Sequence, residues 1–349
     1  MSHLTGLYTP YSVNRPLTQQ EKIDQFHQGK PHCESEFIRD GDTVIKMNST
    51  YLETVDRYYV DKGNASLVTF VIFIAIFGLF LYGYVIFFER YFLEEEIPQR
   101  YDFIIVTAMF SPVLYFCLKL TLKEWFKKTH YPIRFNRKNK MIYVYQVSGN
   151  VLSISWNKVF FTYAKGKGAF PEWGIDGHIL AEDKKTVLQT FSLGYYGSRR
   201  ELSGYWEFIR CYMEEDVVKE LAETIIMCPP IADRKEGYKF GLLYSFRLCS
   251  RFDWIRFIVL PMILLESVSR YIAMRTSKIP QWTNEVEKAC LISPNDNVDV
   301  SYKNNIPDLW RYTFANQKLD SYIKLYRKKK RAARRIDKIV SKRTETQGK

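Results

Sequence analysis

Cysteine is scarce. Six in 349 residues, with no Cys-x-x-Cys pair among them, exclude a small disulfide scaffold. Cys33, Cys117, Cys211, Cys228, Cys249 and Cys290 read as reduced thiols of a cytosolic or membrane setting. Histidine numbers five. His27, His32 and Cys33 fall close together in a polar stretch, but a metal site there would need a fourth ligand and a rigid frame, so the stretch reads as a solvated loop. The chain lacks a Walker loop, a nucleophile elbow, a His-Glu-x-x-His helix and a Gly-x-Gly-x-x-Gly turn after a strand. Gly166-Lys167-Gly168 is too short to cradle a phosphate, and Glu214-Glu215-Asp216 reads as a solvated helix end. Asp176 and His178 lie two apart and could share a strand face, with no nucleophile placed near them by any motif. The reading is therefore a non-enzyme, without cofactor or metal; a membrane enzyme with an unrecognised site is the remote alternative. The first ten residues carry no basic stretch ahead of an apolar one, so no cleavable signal is expected.

What is present points to a mixed object. Hydrophobic residues make up 46% and aromatic residues 16%, too much for a disordered chain, while 26% charged residues are too many for a transporter made mostly of spans. The length predicts about two domains. Leu67 to Phe88 is a run of 22 residues without a charge. About 20 apolar residues at 1.5 Å each cross a hydrocarbon core of roughly 30 Å, and this run has no polar face that would suit a soluble helix. A second span is predicted from Phe103, with its strictly apolar part ending at Leu118 and Lys119 able to snorkel. Pro112 inside it is better tolerated in a membrane than in water.

The segment between the runs, Glu89 to Asp102, holds five acids and two bases, whereas Lys119, Lys123, Lys127, Lys128, Arg134, Arg137, Lys138 and Lys140 follow the second. The positive-inside rule then places the acidic loop, with Glu94, Glu95 and Glu96, outside and both flanking parts in the cytoplasm. The predicted organisation is an N-terminal cytoplasmic segment (1–65), a two-helix transmembrane hairpin (66–122), a β-rich cytoplasmic domain closed by a helix (123–216), a helical or irregular region with a possible interfacial helix at 254–274 (217–317), and a basic helical tail (318–349).

Between residues 131 and 193 the pattern has period two, with turn residues at Asn136 to Asn139, Gly149-Asn150 and Glu182 to Lys185; six short strands are expected. Ser198 and Glu201 have the form of a capping box, and Leu202, Trp206, Ile209 and Met213 then form one apolar helical stripe. The fold class read from this order is an α+β membrane protein: a transmembrane helical hairpin, then a cytoplasmic antiparallel β-barrel-like domain of pleckstrin-homology type with a capping helix, then further C-terminal helices.

The tail carries most of the net charge. Lys318 to Arg343 holds twelve bases and two acids, 12 − 2 = +10 of the total +13. Near a membrane such a block is attracted to anionic headgroups, and Lys328, Lys329, Lys330, Arg331, Arg334 and Arg335 are the candidates for that contact. Nucleic acid is the less favoured partner.

Three stretches carry a family resemblance: Met47-Asn48-Ser49-Thr50-Tyr51-Leu52-Glu53-Thr54-Val55-Asp56-Arg57-Tyr58-Tyr59, Pro132-Ile133-Arg134-Phe135-Asn136-Arg137-Lys138 with the Trp156 strand, and Trp206-Glu207-Phe208-Ile209-Arg210-Cys211-Tyr212-Met213-Glu214-Glu215. Their order around two spans resembles a bacterial family of two-span membrane proteins catalogued as domain of unknown function 6708. The resemblance covers roughly residues 45 to 215. Members of that family are often encoded near type VI secretion and Rhs-type toxin genes. It therefore implies an inner-membrane immunity or accessory protein that binds a cognate secreted toxin, and it supplies no catalytic residues. Candidate partner contacts are Glu94, Glu95 and Glu96 outside and Trp173 and Tyr195 inside. The alternative is a membrane-anchored scaffold that binds anionic lipid or a protein through its β domain and tail, with the oligomeric state left open.

Overall fold

A computed structural model describes residues 5–32, 38–93, 100–166, 173–248, 255–306 and 320–347. The chain forms two compact units. One combines Met1–Val60, Thr129–Glu236 and Ile279–Lys349; the other combines Asp61–Lys128 and Gly237–Lys278.

In chain order the N-terminal part supplies β1 (Arg15–Pro16), α1 (Gln19–Ile23), β2 (Gln25–Phe26), β3 (Val44–Asn48), β4 (Tyr51–Thr54) and α2 (Arg57–Val60). Two long helices follow, α3 (Asn64–Leu93) and α4 (Arg100–Thr121). Next come β5 (Ile133–Asn136), β6 (Met141–Tyr145), β7 (Val151–Ser155), β8 (Val159–Lys165), β9 (Trp173–Leu180) and β10 (Thr186–Ser192). The remainder is α5 (Arg199–Glu214), α6 (Val218–Thr224), α7 (Tyr238–Leu248), α8 (Ile255–Thr276), α9 (Asn284–Ala289), β11 (Asp299–Ser301) and α10 (Asp320–Gln347).

The first unit holds two antiparallel sheets, in the orders β1-β10-β9-β8-β2 and β11-β3-β4-β5-β6-β7. Their turns follow from local chemistry. Between β6 and β7 the chain needs a left-handed residue, and Gly149 supplies it at φ +93°. Between β9 and β10 the Asp183 carboxylate accepts from the backbone of Lys185 (2.8 Å) and Thr186 (2.9 Å), an Asx-type closure. Helix α5 has the capping box expected from Ser198 and Glu201, and every residue from Leu202 to Met213 is buried. Its Trp206 lies 5.5 Å from Trp156, 4.9 Å from Phe161 and 5.1 Å from Phe26, so residues of both sheets and the helix share one core.

The expected barrel does not form: neither sheet closes on itself. The strand run from 131 to 193 divides at a 3₁₀ turn, Trp156–Lys158, which buries Trp156 and redirects the chain. Strand β7 therefore pairs with β6 in one sheet, and β8 pairs with β9 in the other. The described outer strands are short, and Pro16 on β1 has no N–H to offer a further neighbour.

The second unit is helical. Helix α3 has 30 residues, about 45 Å at 1.5 Å each, and α4 has 22. Both are long and apolar enough to cross a membrane, and the most apolar 18 residues of α3 include none that is buried. Their near ends are tied together. The Glu124 carboxylate accepts from the N–H groups of Gly63 (3.2 Å) and Ser66 (2.9 Å) at the start of α3. The Lys62 ammonium donates to the carbonyls of Glu124 (3.0 Å) and Lys128 (2.8 Å). The predicted segment 254–274 is one helix, α8, with Pro261 inside it.

Candidate functional site

Trp173 opens β9 beside a cavity of about 550 Å³ in the first unit. Glu21, Asp24, Tyr163, Asp176 and His178 also line it. Helix α1 begins with a capping box between Thr18 and Glu21 and is held to β8 by the Thr162 hydroxyl, which donates to the Glu21 carbonyl at 3.1 Å. That box aims the Glu21 carboxylate at Arg15 (2.8 and 2.5 Å) and at His178 Nε2 (3.4 Å). Burial pushes the Glu21 carboxyl up, but the hydrogen bonds of His178, Arg15 and the Thr18 N–H outweigh it and hold the group well below the usual carboxylate range.

The cavity wall is aromatic and cationic together. The Arg199 guanidinium sits 4.3 Å from the Tyr163 ring and 4.8 Å from the Trp173 ring, and it pairs with Asp24. Lys165 Nζ also stands over the Trp173 ring, at 5.7 Å. The Tyr163 hydroxyl contacts Ser203 at 2.6 Å.

Asp176 and His178 share a strand face, as their spacing implies. Their partners differ. Ser192 donates to Asp176 at 2.5 Å and contacts Tyr11 at 2.8 Å, with Arg57 Nη1 3.2 Å from Ser192. His178 instead contacts Thr190 through Nδ1 (2.8 Å) and Glu21 through Nε2. A serine hydroxyl bound to a carboxylate without the imidazole beside it has no geometry for nucleophilic attack. The groups brought together here suit recognition: fixed carboxylates, a stacked cation and a half-buried indole.

The other predicted site residues scatter. Tyr195 is half-buried, its ring 5.4 Å from Tyr205, and a Cβ at Gly41 would meet the Tyr195 ring at 2.6 Å; it is a packing residue. In the tail, Lys329 pairs with Asp40 at 3.0 Å, and Lys328 (3.6 Å) and Arg335 pair with Glu223. Ala332, Ala333 and Ile336 bury the same helix against the rest of the first unit. Of the six candidate lipid contacts, Lys329 is thus a fold contact rather than a free surface charge, while Lys330, Arg331 and Arg334 are exposed. Leu67 is half-buried, and Phe88 and Leu118 are exposed, on α3 and α4. Phe103 falls within α4. Glu94, Glu95 and Glu96 lie outside the described residues.

Sequence reasoning misses two constellations. Arg134 is ion-paired to Glu53 (2.8 Å) and Glu287 (3.3 Å) and lies between the rings of Tyr51 (4.3 Å) and Trp282 (4.7 Å), on a cavity of about 510 Å³. Arg210 is buried with Glu207 (2.8 Å), Glu214 (3.3 Å) and Glu215 (3.1 Å). The acids at the end of α5 are therefore not a solvated end, except Asp216; the i+4 spacing carries Glu214 back to Arg210. Burial pushes the neighbouring Cys211 thiol up, so it is inert.

A family model described as a family of unknown function (DUF6708) matches residues 110–294, more than half of the 349 residues, and the chain belongs to this family. Neither curated proteins nor solved structures give a match.

Proposed function

We propose that this member of the DUF6708 family is a non-enzymatic binding protein anchored in a bacterial inner membrane by the α3–α4 hairpin, with both flanking parts of the chain in the cytoplasm. The observation that carries the anchoring is the outward face of the hairpin. Ile74, Leu79, Val85, Ile104, Met109 and Phe116 are all exposed. At roughly 25 cal/mol per Å² of apolar surface, holding such faces in water is prohibitive, whereas acyl chains accept them. The bases after α4 and the acids between the helices supply the orientation. We read the helix-capped antiparallel unit as pleckstrin-homology-like on element order alone.

In this reading the Trp173 cavity is the docking surface. Its aromatic wall, with Lys165 beside the half-buried Trp173, complements an aromatic side chain of a polypeptide partner. The family resemblance points to a type VI secreted toxin as that partner, with the protein as its immunity or accessory factor. The test is a competition in which cells lacking the gene are mixed with parental cells. Loss of fitness on contact, restored by the wild-type gene and not by Trp173→Ala, is the expected result. Equal survival without the gene overturns the immunity role; full rescue by Trp173→Ala overturns the docking surface.

A lipid-binding scaffold is the second reading. It is favoured by the exposed Lys330, Arg331 and Arg334 on α10.

A further inference from the structure

Helix α8 is built inside out. Its buried residues include Ser267, Ser269 and Arg270 beside Ile263, Ala273 and Met274. Its exposed side carries Ile258 at 68%, Met262 at 52%, Leu265 at 55%, Val268 at 46% and Ile272 at 37%. The steps of four, three, three and four residues place these on one face. A helix on a water-soluble protein has the opposite arrangement, with its serines and arginine outward and its leucines inward.

The polar groups are turned inward to definite partners. The Ser269 hydroxyl donates to the Gly63 carbonyl at 2.7 Å and contacts the Ser66 hydroxyl at 3.3 Å. The Arg270 guanidinium lies 4.8 Å from the Tyr244 ring. Gly63, at φ +95°, makes the close approach possible, because a Cβ there would sit 2.4 Å from the Arg270 nitrogen. Ser267 and Arg270 are thus turned to α7, Ser269 interrupts the apolar face where the start of α3 covers it, and the rest of that face is left outward.

We infer that α8 is a third membrane-contacting helix, lying in the cytoplasmic leaflet with its stripe from Ile258 to Ile272 among the acyl chains. The inference rests on the hairpin being in the membrane, since α8 belongs to the same compact unit as α3 and α4. Three observations select lipid as the occupant. The stripe continues the exposed apolar character of α3 and α4 within that unit. The helix meets the chain at the start of α3, the end of the hairpin that the proposed topology puts on the cytoplasmic side. Its C-terminal end lies beside bases suited to anionic headgroups: the Lys278 N–H donates to the Lys127 carbonyl at 2.8 Å, and Lys123 and Arg275 precede these two residues in sequence. A full crossing is disfavoured by Arg256, Glu266 and Arg270, so the helix lies within one leaflet.

The test uses the full chain in nanodiscs that contain anionic phospholipid. Nitroxides are placed at Leu265→Cys and Val268→Cys, with Ile74→Cys as the hairpin reference and Lys303→Cys as the aqueous one. Collision with oxygen, which concentrates in acyl chains, is compared with collision with a water-soluble nickel chelate. The expected result is that 265 and 268 favour oxygen, as 74 does. Nickel access at 265 and 268 with an oxygen-rich 74 overturns the inference and leaves the hairpin standing. Protection from both probes indicates a protein partner or a second copy and also overturns it. Nickel access at 74 overturns the hairpin and this inference together. The unlabelled chain gives an independent reading: a phospholipid with a photoreactive acyl chain should crosslink to the peptide between Arg256 and Arg270 as well as to the hairpin, and labelling of the hairpin alone contradicts the inference.

Discussion

Single residues of the first unit do most of their work as buried charges. Arg210 neutralises Glu207, Glu214 and Glu215, and those acids in turn hold other segments. Glu207 accepts from the His32 N–H at 2.8 Å, and Glu214 accepts from Trp156 Nε1 at 2.8 Å and from the Gly29 N–H at 2.9 Å. Arg210→Met strands these carboxylates without a cation. A destabilisation of about 3–5 kcal/mol is expected, read from denaturant unfolding followed by tryptophan fluorescence; a change under about 1 kcal/mol contradicts the role. Glu21 yields a pH prediction. Its carboxyl titrates at about 4.3 in an unfolded chain and lower in the fold, so between the two values the unfolded chain binds more protons. The stability it contributes is therefore present above about pH 5 and is lost as pH falls through that window. Melting temperatures of the solubilised protein from about pH 6 to about pH 3 should drop less steeply for Glu21→Gln than for wild type; parallel curves contradict this. The spacing of Glu207, Arg210 and Glu214 on one helix is visible in the sequence, but the long-range partners of these acids and of Glu21 are not. Arg210 sits in one of the stretches that carry the family resemblance, yet the His32 and Trp156 groups that share its acids come from elsewhere in the chain.

Elements are more legible than their pairing. Strands β5 to β10 follow from period-two alternation and turn residues, and α5 from its capping box. The split between β7 and β8 does not show, because Val151 to Tyr163 alternates almost throughout and only the Trp156-Asn157-Lys158 turn interrupts it. Strands β3 and β4 are hidden too, although they hold the motif around Met47 to Thr54. Strand β5, which pairs with β4, follows the hairpin, and β11, which pairs with β3, lies near the far end of the chain at Asp299–Ser301. The tail is expected as a basic helix, and its burying face lies at Ala332, Ala333 and Ile336, whereas Tyr326 is exposed. Two consequences separate its charges. Lys329→Gln leaves Asp40 buried without its ion pair, so α10 should become more sensitive to protease. Lys330→Gln, Arg331→Gln and Arg334→Gln together should leave protease resistance unchanged. They should instead lower energy transfer from a donor at position 342 to a headgroup acceptor in anionic nanodiscs, as raised salt should too. Equal effects of the two sets would contradict the division.

The whole molecule is threaded rather than laid out in series. The sheet unit is left at Val60 and resumed at Thr129, then left at Glu236 and resumed at Ile279. Within it the first departure is closed by the Asp56 carboxylate, which accepts from the Tyr131 N–H at 2.7 Å. The second is marked by the Tyr59 hydroxyl, which donates to Glu236 at 2.6 Å. The stretch from Asp56 to Tyr59, conspicuous in the sequence without an evident purpose, is thus the junction at which the sheet unit admits its helical insertions. Linear reading finds the apolar runs because each is local. It does not find the units, because their closure depends on contacts across scores of residues. In the proposed topology α3 and α4 cross a membrane with the sheet unit in the cytoplasm. Paired fusions of a cytoplasm-active fluorescent reporter and a periplasm-active phosphatase, placed after Lys349 and between Glu94 and Glu96, read this topology. Fluorescence from the Lys349 fusion with phosphatase activity from the loop fusion is the expected outcome. Phosphatase activity after Lys349, or fluorescence from both positions, would contradict it.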